Sequence, residues 1–154
     1  MIRITEIREA LAALLGKTGI AYITGEDLQQ ERSYEDAMDN AGEDRRILQV
    51  MVELQGASTL DAGNLTEKTV LVDIAYLCGM DTARRDIQDV LDDIDGIIRP
   101  YIKVRDRCFT IRSASSNITD NVGHYVFSIN FVDGDPVEVP EPVADDLVFR
   151  FKEV

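Results

Sequence analysis

Three clusters of side chains in this sequence have types that could do chemistry. Gly16-Lys17-Thr18 has the ending of a phosphate-binding loop, in which backbone N–H groups and a lysine cradle phosphates. That loop also needs a glycine five residues before Gly16 and a strand leading into it. Leu11 occupies the position, and a helical pattern precedes it. The triplet therefore reads as a helix stop and a turn. Asp86, Asp89, Asp92, Asp93 and Asp95 crowd one segment, and carboxylates so spaced could hold a divalent ion. No glycine-centred calcium loop accompanies them. Asp86, Asp89 and Asp93 fall opposite an apolar stripe, as residues of a solvated helix face do, and Asp86 and Asp89 suit the positive end of a helix dipole. His124 is the only histidine. Asp120 and Asp133 lie near it in sequence and Ser128 shares its strand face, the types that a nucleophile and its base require. A single histidine on a strand is more often a surface or packing residue. Cys78 and Cys108 form no CxxC pair and, with one histidine, cannot complete a zinc site without carboxylates. The expectation is no catalytic residue, no metal, no cofactor and no enzyme activity, with both thiols reduced in an intracellular protein.

The elements around these residues are better defined than the residues themselves. Residues 2–15 carry Ile4, Ile7, Leu11, Leu14 and Leu15 on one helical face, with Gly16 as the stop. A short strand follows at residues 20–24. Residues 46–60 and 67–77 alternate with a period of two: Leu48, Val50, Val52 and Leu54 on one face of the first, Val70, Val72, Ile74 and Tyr76 on one face of the second. The turn-forming run Asp61-Ala62-Gly63-Asn64 joins them, and their length predicts a hairpin projecting beyond the domain body. A helix is predicted from about residue 82 to 98. Its stripe is Ile87, Val90, Leu91, Ile94 and Ile98, with Asp81 or Thr82 as the cap and Pro100 past the end. The last predicted strand pair is residues 107–113 with residues 123–131, the latter alternating through Tyr125, Phe127, Ile129 and Phe131.

Two segments lack such a pattern. Residues 25–44 form a polar loop with eight acids and Arg32 as its internal base. A loop of this length in a compact domain is usually functional or mobile, and residues 33–40 could form a short helix capped by Ser33. Residues 133–154 hold Pro136, Pro140 and Pro142 and read as an extended arm. The arm ends in a short strand at residues 147–151, whose Leu147, Phe149 and Phe151 are too apolar for a free tail.

The chain has 154 residues, a length that suits a single domain (residues 1–132, followed by the arm) with a self-sufficient core. The formal net charge is −13, which argues against general DNA or RNA binding because phosphate affinity comes from Lys and Arg. The same charge suits a protein past which DNA slides without sticking. Arg3, Glu6, Arg8 and Glu9 interrupt any leader-like apolar run, and no run approaches membrane-spanning length. The fold class expected is α+β: a twisted, mostly antiparallel sheet with two helices packed on one face, a long protruding β-hairpin and an extended C-terminal arm.

The order helix, strand, acidic loop, long strand pair, helix, hairpin resembles the tail terminator (tail completion) proteins of tailed bacteriophages, of the type common in phages and prophages of Gram-positive bacteria. The residues carrying the likeness are the opening helix at 4–15, the strand at 48–55, a second strand ending in Asp73-Ile74-Ala75-Tyr76, the amphipathic helix, and a hairpin of residues 102–111 and 125–132. The acidic 25–44 loop and the proline-containing extension depart from the family pattern. The resemblance implies a structural virion protein at the head-proximal end of the tail. It would form a homo-oligomeric, hexameric ring that caps the tail tube, stops its polymerisation and offers its other face to a head-completion or connector protein. Genomic DNA would pass through the lumen without sequence-specific binding. The family brings no catalytic residues. The residues expected at contacts are Thr59, Leu60, Asp61, Asn64 and Leu65 at the hairpin tip, Glu31, Arg32 and Tyr34 on the acidic loop, and Leu147, Phe149 and Phe151 on the arm. Two alternatives belong to other classes: a neck, head-closure or adaptor protein, and a small ligand-binding domain or enzyme.

Overall fold

In the computed structural model, the structure describes residues 1–24, 46–60 and 64–134. Helix α1 (Ile4–Leu15) leads through a 3-10 turn (Gly16–Thr18) into β1 (Ala21–Thr24). Strands β2 (Ile47–Thr59) and β3 (Thr66–Leu77) follow, then α2 (Arg84–Ile98), the pair β4 (Tyr101–Val104) and β5 (Arg107–Thr110), and the pair β6 (Ala114–Thr119) and β7 (Val122–Asp133). Five strands form one sheet in the order β1-β2-β3-β7-β6, parallel only between β1 and β2. This is the expected α+β architecture. Strands β4 and β5 make a separate two-stranded sheet.

The period-two pattern settles which face is dry. Leu48, Val50 and Val52 on β2, Val70, Val72, Ile74 and Tyr76 on β3, and Tyr125, Phe127, Ile129 and Phe131 on β7 are all buried. Ile7, Leu11 and Leu15 of α1 and Ile87, Leu91, Ile94 and Ile98 of α2 cover that face, so both helices pack on one side. Ile102, Val104, Phe109 and Ile111 of the β4–β5 hairpin and its exit close the same core. Helix α2 approaches β7 most closely at Gly123, where an added Cβ would stand 2.9 Å from Ile87 Cγ2 and 3.2 Å from Leu91 Cδ2. On the opposite face lies a small cluster of Ile47 and Leu77 with Ile23 and Val122 half-buried beside them.

Several local expectations are corrected. The stop at Gly16 holds, since α1 ends there, but its backbone is right-handed; the left-handed reversal falls at Gly19, at φ +71°, where glycine has no Cβ to clash. Helix α2 starts from Ala83, with no side-chain cap, so neither Asp81 nor Thr82 fills that role. Leu54 is 51% exposed, because the helices cover β2 only as far as Val52. Strand β7 does not pair with residues 107–113. Its neighbours are β3 and β6, while β5 pairs with β4. Strand β6 was not expected, since Ser115, Ser116 and Asn117 give it no apolar alternation.

Candidate interface

Strands β2, β3 and β7 are the three long strands, and they run out together beyond the short ones. Strand β1 covers β2 only along residues 47–50, and β6 covers β7 only along residues 122–127. Strand β3 keeps β7 as its neighbour out to the pair Thr66 and Asp133. The far end is therefore a three-stranded ribbon rather than a two-stranded hairpin. Among the described residues both its edges are unpaired: β2 from Met51 onward and β7 from Ser128 onward. Unpaired strand edges are templates for another chain. Apolar side chains lie exposed here, with Leu54, Val132 (40%) and Met51 (39%) the largest. A bulge between Leu54 and Gly56 leaves Gln55 without a partner on β3, which increases local twist.

The tip is held together by its backbone. Thr59 pairs with Thr66, and Leu60 N–H donates to the Leu65 carbonyl at 2.9 Å. Gly134, at φ +123°, lies so close that an added Cβ would meet the Asn64 carbonyl oxygen at 2.0 Å. Thr59, Leu60, Asn64 and Leu65 are thus brought together at one end of the ribbon. Asp61, Glu31, Arg32, Tyr34, Leu147, Phe149 and Phe151 lie outside the described residues.

The ribbon is anchored to the body by Asp133, which is 5% exposed. Its Oδ2 accepts from Ile2 N–H at 3.0 Å and from Lys68 Nζ at 3.0 Å, and Arg107 Nη1 stands 3.7 Å from Oδ1. Burial alone would raise this carboxyl. The Lys68 and Ile2 hydrogen bonds, with the nearby positive charge, outweigh burial and hold it below the usual aspartate range. Arg107 also donates to the Val132 carbonyl at 2.9 Å and stacks over the Phe109 and Phe131 rings.

The side chains singled out for chemistry serve structure instead. Thr18 Oγ1 donates to the Leu15 carbonyl at 2.7 Å and accepts from Ile20 N–H at 3.2 Å, tying helix to strand. His124 Nδ1 stands 3.2 Å from Asp73 Oδ1 on β3, both about one third exposed on the open sheet face. Neither Asp120 nor Asp133 partners it. Asp95 accepts from Tyr125 Oη at 2.6 Å and pairs with Arg99 at 2.8 Å, so this aspartate, outside the Asp86, Asp89 and Asp93 face, clamps α2 to β7. Cys78 is buried and Cys108 exposed, both free. Among the described residues no three His, Cys, Asp or Glu side chains converge as a metal site would, and no helix is long and apolar enough to cross a membrane.

Fold and edges together define an α+β protein with unpaired strand edges among its described residues. The family model for phage tail terminator protein matches residues 38–141. The chain belongs to that family, and its role is that of a structural component of the phage tail. No curated protein matches it. One solved structure, whose description names no function, superposes with a TM-score of 0.48 at 11% identity, over 90% of this chain and all of its own. That likeness is too slight to carry an argument.

The sequence predicted that β2 and β3 pair through a turn, but not which stretches of β2 and β7 stay unpaired, nor the anchoring role of Asp133. The edges follow from how far β1 and β6 reach, which no local pattern encodes. The signal for Asp133 was present: an acid closing an alternating strand at the position where the next apolar residue belongs.

Proposed function

We propose that this chain closes into a ring at the head-proximal end of the phage tail. Six subunits are what the family resemblance implies. The ring caps the tail tube, stops its polymerisation and offers its other face to a head-completion or connector protein. The observation that carries the reading is the β2–β3–β7 ribbon, which among the described residues presents unpaired edges and a backbone-locked tip at one end of the sheet. A contact made by different surfaces on the two partners is heterologous and generates a ring when its rotation closes. The tip, with Thr59, Leu60, Asn64 and Leu65, faces the tube or a neighbouring subunit. The acidic loop with Glu31, Arg32 and Tyr34 contributes a second contact. With a net charge of −13, an acidic lumen lets DNA pass without adhering.

Electron microscopy of particles lacking this protein tests the reading. Overlong tails or polytubes support it. Tails of normal length beside leaking heads identify a head-closure protein instead. In a second arm, Leu54→Lys with Met51→Lys places two charges on the exposed ribbon. The monomer is expected to stay folded and capping to fail; normal capping by this variant would show that this part of the ribbon makes no contact.

A further inference from the structure

Where β6 ends, β7 leaves a groove of about 940 Å³. Its floor is aromatic, with Phe127, Phe131 and Phe109, and Arg107, Arg112 and Asn130 stand along it. The Phe109 and Phe131 rings lie 5.0 Å apart. The Val132 carbonyl turns away from β3 to accept from Arg107. By the period of two, the N–H and C=O of Asn130 and the C=O of Ser128 point the same way, into the groove, and no described strand meets them. The site therefore asks for a short extended segment with apolar side chains at alternate positions.

We propose that the occupant is residues 147–151 of a neighbouring copy of this chain, added to β7 as a further strand. Three features select it. Leu147, Phe149 and Phe151 alternate as the aromatic floor requires, and Val148 and Arg150 then share the open face with Ser128 and Asn130. Asp145 and Asp146 precede the segment, and the groove carries Arg112, which makes no ion pair among the described residues, as well as Arg107. The third feature is where the described chain ends. At Gly134 it lies against Asn64 on the β3 side of β7, away from the groove on the β6 side. A chain end on that side is turned away from its own groove, which favours a neighbour's. The inference rests on the ring reading above and assigns one of its contacts.

The test uses the full chain with Cys108→Ser, assembled with tail tube protein. One copy, carrying one affinity tag, has Asn130→Cys. A second copy, carrying another tag, has Val148→Cys or, for the alternative register, Arg150→Cys. Opposed strand residues lie within disulfide reach. The expected result is a band containing both tags on a non-reducing gel, for one of the two registers and not for a control pair with Ser115→Cys. Phe149→Asp in the copy carrying the arm cysteine, which takes an apolar side chain off the aromatic floor, should abolish it. A disulfide formed only within a single chain carrying both cysteines overturns the proposal, as does no disulfide in either register. If capping and ring mass persist in those two cases, the arm assignment fails while the terminator reading stands. If the wild-type protein forms no ring and the paired cysteine variants form no cross-link, both fail.

Discussion

The Lys68 ammonium donates to the buried Asp133 carboxylate at 3.0 Å, across adjacent strands at the tip end of the ribbon. One carboxylate thereby holds β3, β7, the Ile2 backbone and Arg107 at a single point. It is the one described polar or charged residue that is fully buried. The pair sets the ribbon's direction relative to the helices, so its loss should be felt at the contact surface.

The Asp133 carboxyl is held below its usual range in the folded protein. A depressed value contributes stability that is present above the ordinary aspartate pKa and lost as pH falls through the folded value. Glu6, lowered first by the Arg3 N–H bond, and Asp95, lowered first by Tyr125, act in the same direction. Asp133→Asn should destabilise the protein at neutral pH by on the order of 3 kcal/mol, the cost of breaking a buried pair. It should also flatten the acid limb of the stability curve. Chemical denaturation at several pH values measures both effects; an unchanged acid limb would show that Asp133 is not a major contributor.

Tyr125 is pushed well above the ordinary tyrosine range, first by burial and then by its bond to Asp95. Burial also raises Tyr76, against the opposing effect of Arg46. A raised tyrosine contributes stability that is whole below the ordinary value and declines as pH climbs through the folded one. Ultraviolet titration of the folded protein should therefore show Tyr76 and Tyr125 ionising late. Tyr125→Phe should remove one of them. Because Asp95 is about a third exposed and keeps Arg99, that variant should lose only about 1 kcal/mol.

Gly123 is where the sheet admits helix α2. A methyl group there meets Ile87 Cγ2 at 2.9 Å and both Leu91 methyls within 3.3 Å. Ile87 is fully buried and cannot yield without displacing its neighbours. Gly123→Ala should cost about 1–3 kcal/mol, the usual penalty of overpacking. A thermal melt equal to that of the wild type would mean that α2 sits farther from β7 than the structure places it.

Gly134 fixes the tip against the end of β7. Its φ of +123° and the Asn64 carbonyl, which an added Cβ would strike, leave no room for a side chain. Gly134→Ala should detach Asn64 and weaken the Leu60 to Leu65 bond while leaving the core intact. Hydrogen exchange should then rise at the Leu60 amide and stay constant at Val72 and Phe127. If Leu60 remains as protected as before, the glycine is not what locks the tip.

The strands and helices of this protein were legible in its sequence because their signals are local. Alternation along residues 48–54, 70–76 and 125–131 reports a sheet with one dry face, and the spacing of Ile87, Leu91, Ile94 and Ile98 reports a helix covering it. The tip was legible too, from its turn-forming run. Partner choice was not. The pattern at residues 107–110 suits any strand, and only packing of the β4–β5 hairpin over the core end decided that β7 pairs with β6 instead. Strand β6 is short, polar and at an edge, so burial imposes no alternation on it. Asp95 resembled its solvated neighbours until Tyr125 arrived from β7. The free edges emerged only in three dimensions, since an edge is defined by where an adjacent strand stops, and that depends on lengths set far apart in the chain.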